Sequence, residues 1–152
     1  MSAAPASPAR AYTILLVEDS PAQQALTRRA LEDAGLQAEL QVVSDGVEAL
    51  QYLRKEGAFA ASPRPDIILL DLNMPRMDGH TFLEQLRGDA RIAGIPVTVL
   101  TTSSADSDAT ASYARGANAF VTKPAEYDQY VRLLVALGQF WAHFVKLPPA
   151  PK

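Results

Sequence analysis

The chain has 152 residues, of which 48% are apolar and 20% charged, with 14 basic and 17 acidic side chains, a formal net charge of −3 and no cysteine. That length suits one domain able to bury roughly 68–70% of the surface its unfolded form exposes, and the composition is that of a globular protein rather than a disordered one. Without a basic block the chain carries no footprint for nucleic-acid phosphates, and without cysteine it has no disulfide framework, thiolate zinc site or thiol nucleophile.

Residues 1–11, rich in Ala, Pro and Ser, are expected to form a disordered tail with no signal-peptide apolar stretch. The longest aliphatic runs, "ILLV" and "IILL", are four residues each. They are far short of a membrane span, so a cytoplasmic protein with no membrane contact is expected. The first strand is read in "YTILLVED". Ser20 as N-cap, Pro21 at the first helical position and Gln23 closing a capping box then open a helix that stops at Gly35. A second strand, "LQVVSDG", leads after Asp45 into a helix from about Val47 to Gly57. The third strand, "DIILLDLN", is followed by a turn and cap at Asp78 and Gly79 and a helix ending near Gly88 or Gly94. The fourth, "PVTVLTTS", precedes the weakly helical "ATASYARGA", whose Ala, Ser and Thr content suggests a mobile element. A fifth strand, "NAFVTKP", leads to one helix from Glu126 to about Lys146, and "PPAPK" at 148–152 forms a Pro-rich tail.

Near-continuous aliphatic strands alternating with helices imply a mainly parallel sheet covered on both faces. The expected fold is α/β, a three-layer doubly wound domain over residues 12–147. Ligands bind such sheets beyond the carboxyl ends of the strands. Those ends carry Glu18 and Asp19 after the first strand, Asp71 after the third, Thr101 after the fourth and Lys123 after the fifth. Clustered carboxylates stay ionised only with a cation beside them, and an oxygen-only donor set points to magnesium. Asp19 and Asp71 are the candidate direct ligands, Glu18 acts through water, and the backbone carbonyl of Asn73 adds another oxygen. His80 and His143 lack a second ligand at helical spacing and read as surface or packing residues, and no glycine-rich loop cradles a nucleotide.

The segments "ILLVEDSP", "DIILLDLNMPRMDG", "VTVLTTS" and "GANAFVTKP", in order and spacing across roughly residues 12–137, closely resemble the receiver domains of bacterial two-component response regulators. The resemblance implies a flavodoxin-like five-stranded sheet of order 2-1-3-4-5. It also implies that Asp71 takes a phosphoryl group from the phosphohistidine of a sensor histidine kinase. Glu18 and Asp19 would then be the acidic pair, Thr101 and Lys123 the phosphoryl-binding groups, and Phe120 the aromatic switch. Side chains at Asn73 and Ser103 would tune the lifetime of the acyl phosphate. The rival phosphohydrolase reading needs a second Asp where Asn73 stands. A receiver that binds partners constitutively is the other alternative, although every expected pocket group is present.

Fewer than 30 residues follow Lys123-Pro124, too few for a separate output domain, so the signal is expected to pass to a downstream protein target by contact. The last helix, about 30 Å long, outruns a strand of about 17–20 Å and carries an apolar stripe including Leu137, Trp141 and Phe144 beside Phe140. Such a surplus marks an interface, and a homodimer is expected there. "LTTS" and "QFWAHF" resemble the single-domain regulators that serve bacterial phytochrome kinases.

Overall fold

The computed structural model describes residues 12–151, so the expected tail at 1–11 lies outside the described residues. In chain order the elements are β1 (Tyr12–Val17), α1 (Pro21–Asp33), β2 (Ala38–Val43), α2 (Gly46–Leu53), β3 (Ile67–Leu70), α3 (Gly79–Arg87), β4 (Val97–Thr101), α4 (Asp106–Ala114), β5 (Ala119–Thr122) and α5 (Tyr127–Gln139). The strands pair in parallel in the order β2-β1-β3-β4-β5. This is the expected doubly wound sheet.

Alternation along each strand divides the core between the two faces of the sheet. Leu15, Val17, Ile68, Leu70, Val97 and Val99 meet Leu50 and Leu53 of α2 and Phe82, Leu83 and Leu86 of α3. Ile14, Leu16, Ile67, Leu69 and Leu100 meet Ala30 and Leu31 of α1 and Tyr130 and Leu134 of α5. The inner strands β1, β3 and β4 are buried at every position, whereas edge strand β5 is only half-buried.

The starts of α1, α2 and α3 follow the predicted caps, whereas α4 begins without a side-chain cap at Asp106, ahead of the expected "ATASYARGA". Ser20 Oγ accepts from Gln23 N at 3.3 Å, Asp45 Oδ1 from Glu48 N at 2.9 Å and Asp78 Oδ1 from Thr81 N at 2.9 Å. The capping box at Ser20 is half formed. The Ser20 amide donates to Glu18 Oε2 at 3.3 Å, and the Gln23 side chain turns instead toward Lys123.

Two helix ends differ from expectation. α2 stops at Leu53 rather than Gly57, because Lys55 takes a positive φ of 57° and its amide donates back to Tyr52 O at 3.1 Å. The last helix is not one α-helix to Lys146. After Gln139 the ladder widens into a π-helical turn, Phe140–Phe144, and Val145 is extended. Leu147 precedes Pro148, where helical backbone is disfavoured, and the chain leaves the helix ahead of it. The turn keeps Trp141 and Ala142, with Leu137 and Leu147, packed against the α1–α5 core, and leaves Phe140 and Phe144 exposed at 54% and 80%.

Candidate functional site

The strand ends converge because β1 and β3 are neighbours in register. The amide of Asp71 donates to Val17 O at 3.0 Å, and the amide of Glu18 donates to Val43 O at 3.0 Å. One carboxylate oxygen from each of Glu18, Asp19 and Asp71 lies within 4.8 Å of the others. Glu18 is buried, Asp71 half-buried and Asp19 exposed, so the cluster opens to solvent on the Asp19 side. The loop after β3 reaches this point by a close approach at Gly79. A Cβ there would meet Asp71 O at 2.8 Å and Leu72 Cα at 2.9 Å, so only glycine lets α3 start against the loop after β3.

Lys123 is brought in by the β4–β5 pairing, where its amide donates to Thr101 O at 2.7 Å. Its ammonium forms an ion pair of 2.9 Å with Glu18 Oε1, with both side chains almost fully buried, and donates to Gln23 Oε1 at 3.4 Å. Gln24 Nε2 donates to Glu18 O at 2.6 Å. Burial is the first reason that Asp71 is pushed up from 3.8 to about 6, and the negative charge of Glu18 is the second. Lys123 and the Asn73 amide pull the other way without prevailing.

Three carboxylates and one ammonium sum to a formal charge of −2 at a site of oxygen donors, the complement of a divalent cation. Asn73 is exposed and its amide bonds the Asp71 carboxylate, which holds the residue at the rim of the cluster. Its loop is tied down by Arg76, a non-glycine residue at φ 61°, whose Nε lies 2.7 Å from the buried Asp45 carboxylate.

Thr101 is fully buried, and its Oγ1 accepts from Ser103 N at 3.3 Å. Phe120 is half-buried against the α2–α3 core on the face of Val99, and its amide donates to Tyr113 Oη at 3.0 Å. Glu18, Asp19, Asp71 and Lys123 are thus gathered with Asn73 at their edge. Thr101 stands at the adjoining strand end, and Phe120 lies three residues before Lys123 on β5. Leu137, Phe140, Trp141 and Phe144 lie at the other end, because α5 runs back from the strand ends. His80 is half-buried on α3, with Nε2 3.2 Å from Ser112 Oγ.

Sequence reasoning missed Gln23, which holds the lysine, and Asp108, which accepts from Ser103 Oγ at 2.6 Å. Gln23 carried a misleading signal as a capping-box residue. Asp108 carried one usable signal, an acidic side chain in the first turn of a helix whose N-cap, Ala105, offers no side-chain acceptor.

Known proteins share this arrangement of segments. The family model described as the response regulator receiver domain matches residues 14–134. Response regulator Rcp1 of Synechocystis sp. is 38% identical over 137 residues, covering 90% of this chain and 93% of that protein. The crystal structure of the phosphorylated cyanobacterial phytochrome response regulator RcpA matches with a TM-score of 0.85 at 39% identity, over 91% of this chain and 99% of that one. The crystal structure of the Mn(2+)-bound form of Rcp1 matches at 0.82 and 37% identity, with the same coverage.

Proposed function

Because the chain belongs to the response regulator receiver domain family, we propose that it is a phosphorylation-operated switch in which Asp71 takes a phosphoryl group from the phosphohistidine of a sensor histidine kinase. The observation that carries this reading is the meeting of Glu18, Asp19 and Asp71 around the buried Lys123 ammonium. A carboxylate oxygen of Asp71 attacks phosphorus as the phosphorus–nitrogen bond breaks and the imidazole leaves as a neutral ring after taking a proton. Asp19 and Asp71, with Glu18 through water and the Asn73 carbonyl, are the residues that would hold magnesium, which when bound supplies positive charge against the phosphoryl oxygens. Lys123 donates to the phosphoryl oxygens from the end of β5, and Thr101 turns its hydroxyl toward them. Phe120 then moves into the space Thr101 leaves and reshapes the α4–β5–α5 face, so one covalent bond changes a binding surface.

The chemistry is directed at the chain's own Asp71, first to load it and then to hydrolyse it, with no external substrate turned over. Residues 12–147 form the working unit and 148–151 a tail. A cytoplasmic site of action belongs to this reading, since the donor phosphohistidine is made there from ATP. Resemblance to phytochrome response regulators supports a bacterial phytochrome as the kinase. The output is contact with a downstream protein and a homodimer formed at the end of α5. Phe140 and Phe144 are the exposed anchors of that interface, while Leu137 and Trp141 back them from a half-buried position.

The test is phosphotransfer from a radiolabelled phosphohistidine kinase to the wild-type chain and to Asp71→Asn. Label is expected on the wild type alone, stable to mild acid and released by hydroxylamine. Undiminished label on Asp71→Asn would place the acceptor elsewhere and overturn the reading.

A further inference from the structure

α4 is attached to the domain in a different way from its neighbours. α3 buries Phe82, Leu83 and Leu86 in the core, whereas the only buried residue of α4 is Ser112. What holds α4 is polar. Ser112 Oγ donates to Asp108 O at 2.7 Å and so has no proton left for His80, whose Nε2–H must donate to it at 3.2 Å. Arg115 Nε donates to Glu84 Oε1 at 2.8 Å, and Tyr113 Oη takes the Phe120 amide.

Among the described residues, the side-chain hydrogen bonds at the helix entrance pass through Ser103. Its hydroxyl donates to Asp108 Oδ2 at 2.6 Å and accepts from the Ala105 amide at 3.2 Å. Its carbonyl accepts from Thr122 Oγ1 at 2.9 Å, and its amide donates to Thr101 Oγ1 at 3.3 Å. A hydroxyl-to-carboxylate bond of 2.6 Å belongs to the short, charge-assisted class, about twice as strong as a neutral one.

We propose that Asp108 is a positioning residue for the phosphotransfer assigned above, on which this inference rests: through Ser103 it holds the Thr101 hydroxyl in its resting place. Thr101 is fully buried, so its hydroxyl cannot turn toward a phosphoryl group on Asp71 without giving up the Ser103 amide or drawing the loop with it. The loop cannot follow while Asp108 grips the Ser103 hydroxyl. A contact made only in the resting arrangement biases the equilibrium against the phosphoryl-ready one, and its removal shifts the population the other way. A plain helix-dipole role for Asp108 would be shared by Asp106, which lies in the same first turn, is exposed, and does not touch Ser103.

The experiment follows the initial rate of acyl-phosphate formation with acetyl phosphate and magnesium, separated on phosphate-affinity gels, for the full chain. Asp108→Ala and Ser103→Ala are each expected to load about tenfold faster than wild type, the worth of one charge-assisted hydrogen bond. The double variant should load no faster than either single one, because both break one clasp. Asp106→Ala should match wild type, and in a Thr101→Ala background neither substitution should accelerate loading. Ser103→Ala retains the helix-terminal charge and carries the test should Asp108→Ala fail to fold. Unchanged or slower loading by Ser103→Ala, acceleration by Asp106→Ala, or acceleration that survives in Thr101→Ala would each overturn the clasp. A wild type that forms no acyl phosphate would instead overturn the switch reading itself, and the clasp with it.

Discussion

Asp71→Asn should stabilise the protein in metal-free buffer at alkaline pH, and the gain should vanish in acid. The Asp71 carboxyl is raised from 3.8 to about 6, by burial first and by Glu18 second. A folded-state pKa above the unfolded value means that the group's contribution to stability is fully present below pH 3.8 and lost as pH rises through about 6. The full difference corresponds to ~3 kcal/mol. Because the side chain is only half-buried, solvent screening reduces this to ~1–2 kcal/mol. Asparagine keeps the shape and cannot ionise, so it escapes the loss. The assay is urea unfolding of both proteins between pH 4 and 8 in a chelator, reading the difference between them, since other titrating groups cancel. That difference should grow by ~1–2 kcal/mol across pH 4–6 and then level off. Added magnesium should reverse it at pH 8, because a cation bound to the ionised wild type contributes ~2.7 kcal/mol at a hundredfold excess over its dissociation constant. A difference that stays flat with pH would refute the strained carboxylate.

The remaining expectations concern the neighbouring groups. Asp19→Asn should weaken the magnesium-induced rise in melting temperature, and equal shifts in the two proteins would remove Asp19 from the ligand set. Lys123→Ala should both slow phosphate uptake and destabilise the fold by ~3–5 kcal/mol, since it strands the buried Glu18 carboxylate without its partner. Denaturant midpoints equal to wild type would show that Glu18 is not held by this pair. Phe140→Glu together with Phe144→Glu should leave a folded monomer that still accepts phosphate, because these rings are exposed and far from the strand ends, whereas Trp141→Glu should also cost stability. Sedimentation and thermal melts separate the two effects, and a wild type that stays monomeric at high micromolar concentration, with and without an acyl-phosphate mimic, would defeat the dimer.

The sheet and the pocket residues were legible for a common reason. Runs such as "IILL" have no polar face to present to water, so they had to be inner parallel strands, and topology then brings their carboxyl ends together whatever the loops do. The capped starts of α1, α2 and α3 were legible because a cap is a local event of three or four residues, whereas the uncapped start of α4 was not. Ends were harder to read. α2 closes on Lys55, a residue with no intrinsic preference for positive φ, and the widened turn at Phe140–Phe144 has no proline inside it to announce it. Side-chain allegiance was least legible of all. Gln23 satisfies a capping-box pattern, yet its amide oxygen lies toward a lysine 100 residues away, a choice that depends on Glu18 having already taken the Ser20 amide.

The uneven burial also bears on where the proposed phosphoryl group would act. Dislodging α3 would expose Phe82, Leu83 and Leu86, each worth roughly 1.5–3 kcal/mol of buried apolar surface. A few new hydrogen bonds to a phosphoryl group, at about 1.5–3 kcal/mol each when charged, cannot outweigh that sum. α4 is held instead by contacts of the same kind and size as those a phosphoryl group would offer to Thr101 and Lys123 on the proposed reading. β5 beside it is a half-buried edge strand, with an outward amide at Phe120 bonded to a phenol rather than to another strand. Motion is drawn from the least stable part of a fold. On the proposed reading, a charge added at Asp71 would therefore move the chain more readily toward α4 and β5 than toward α3. The weak helix propensity and polar attachment of α4 would leave it easier to shift than α3.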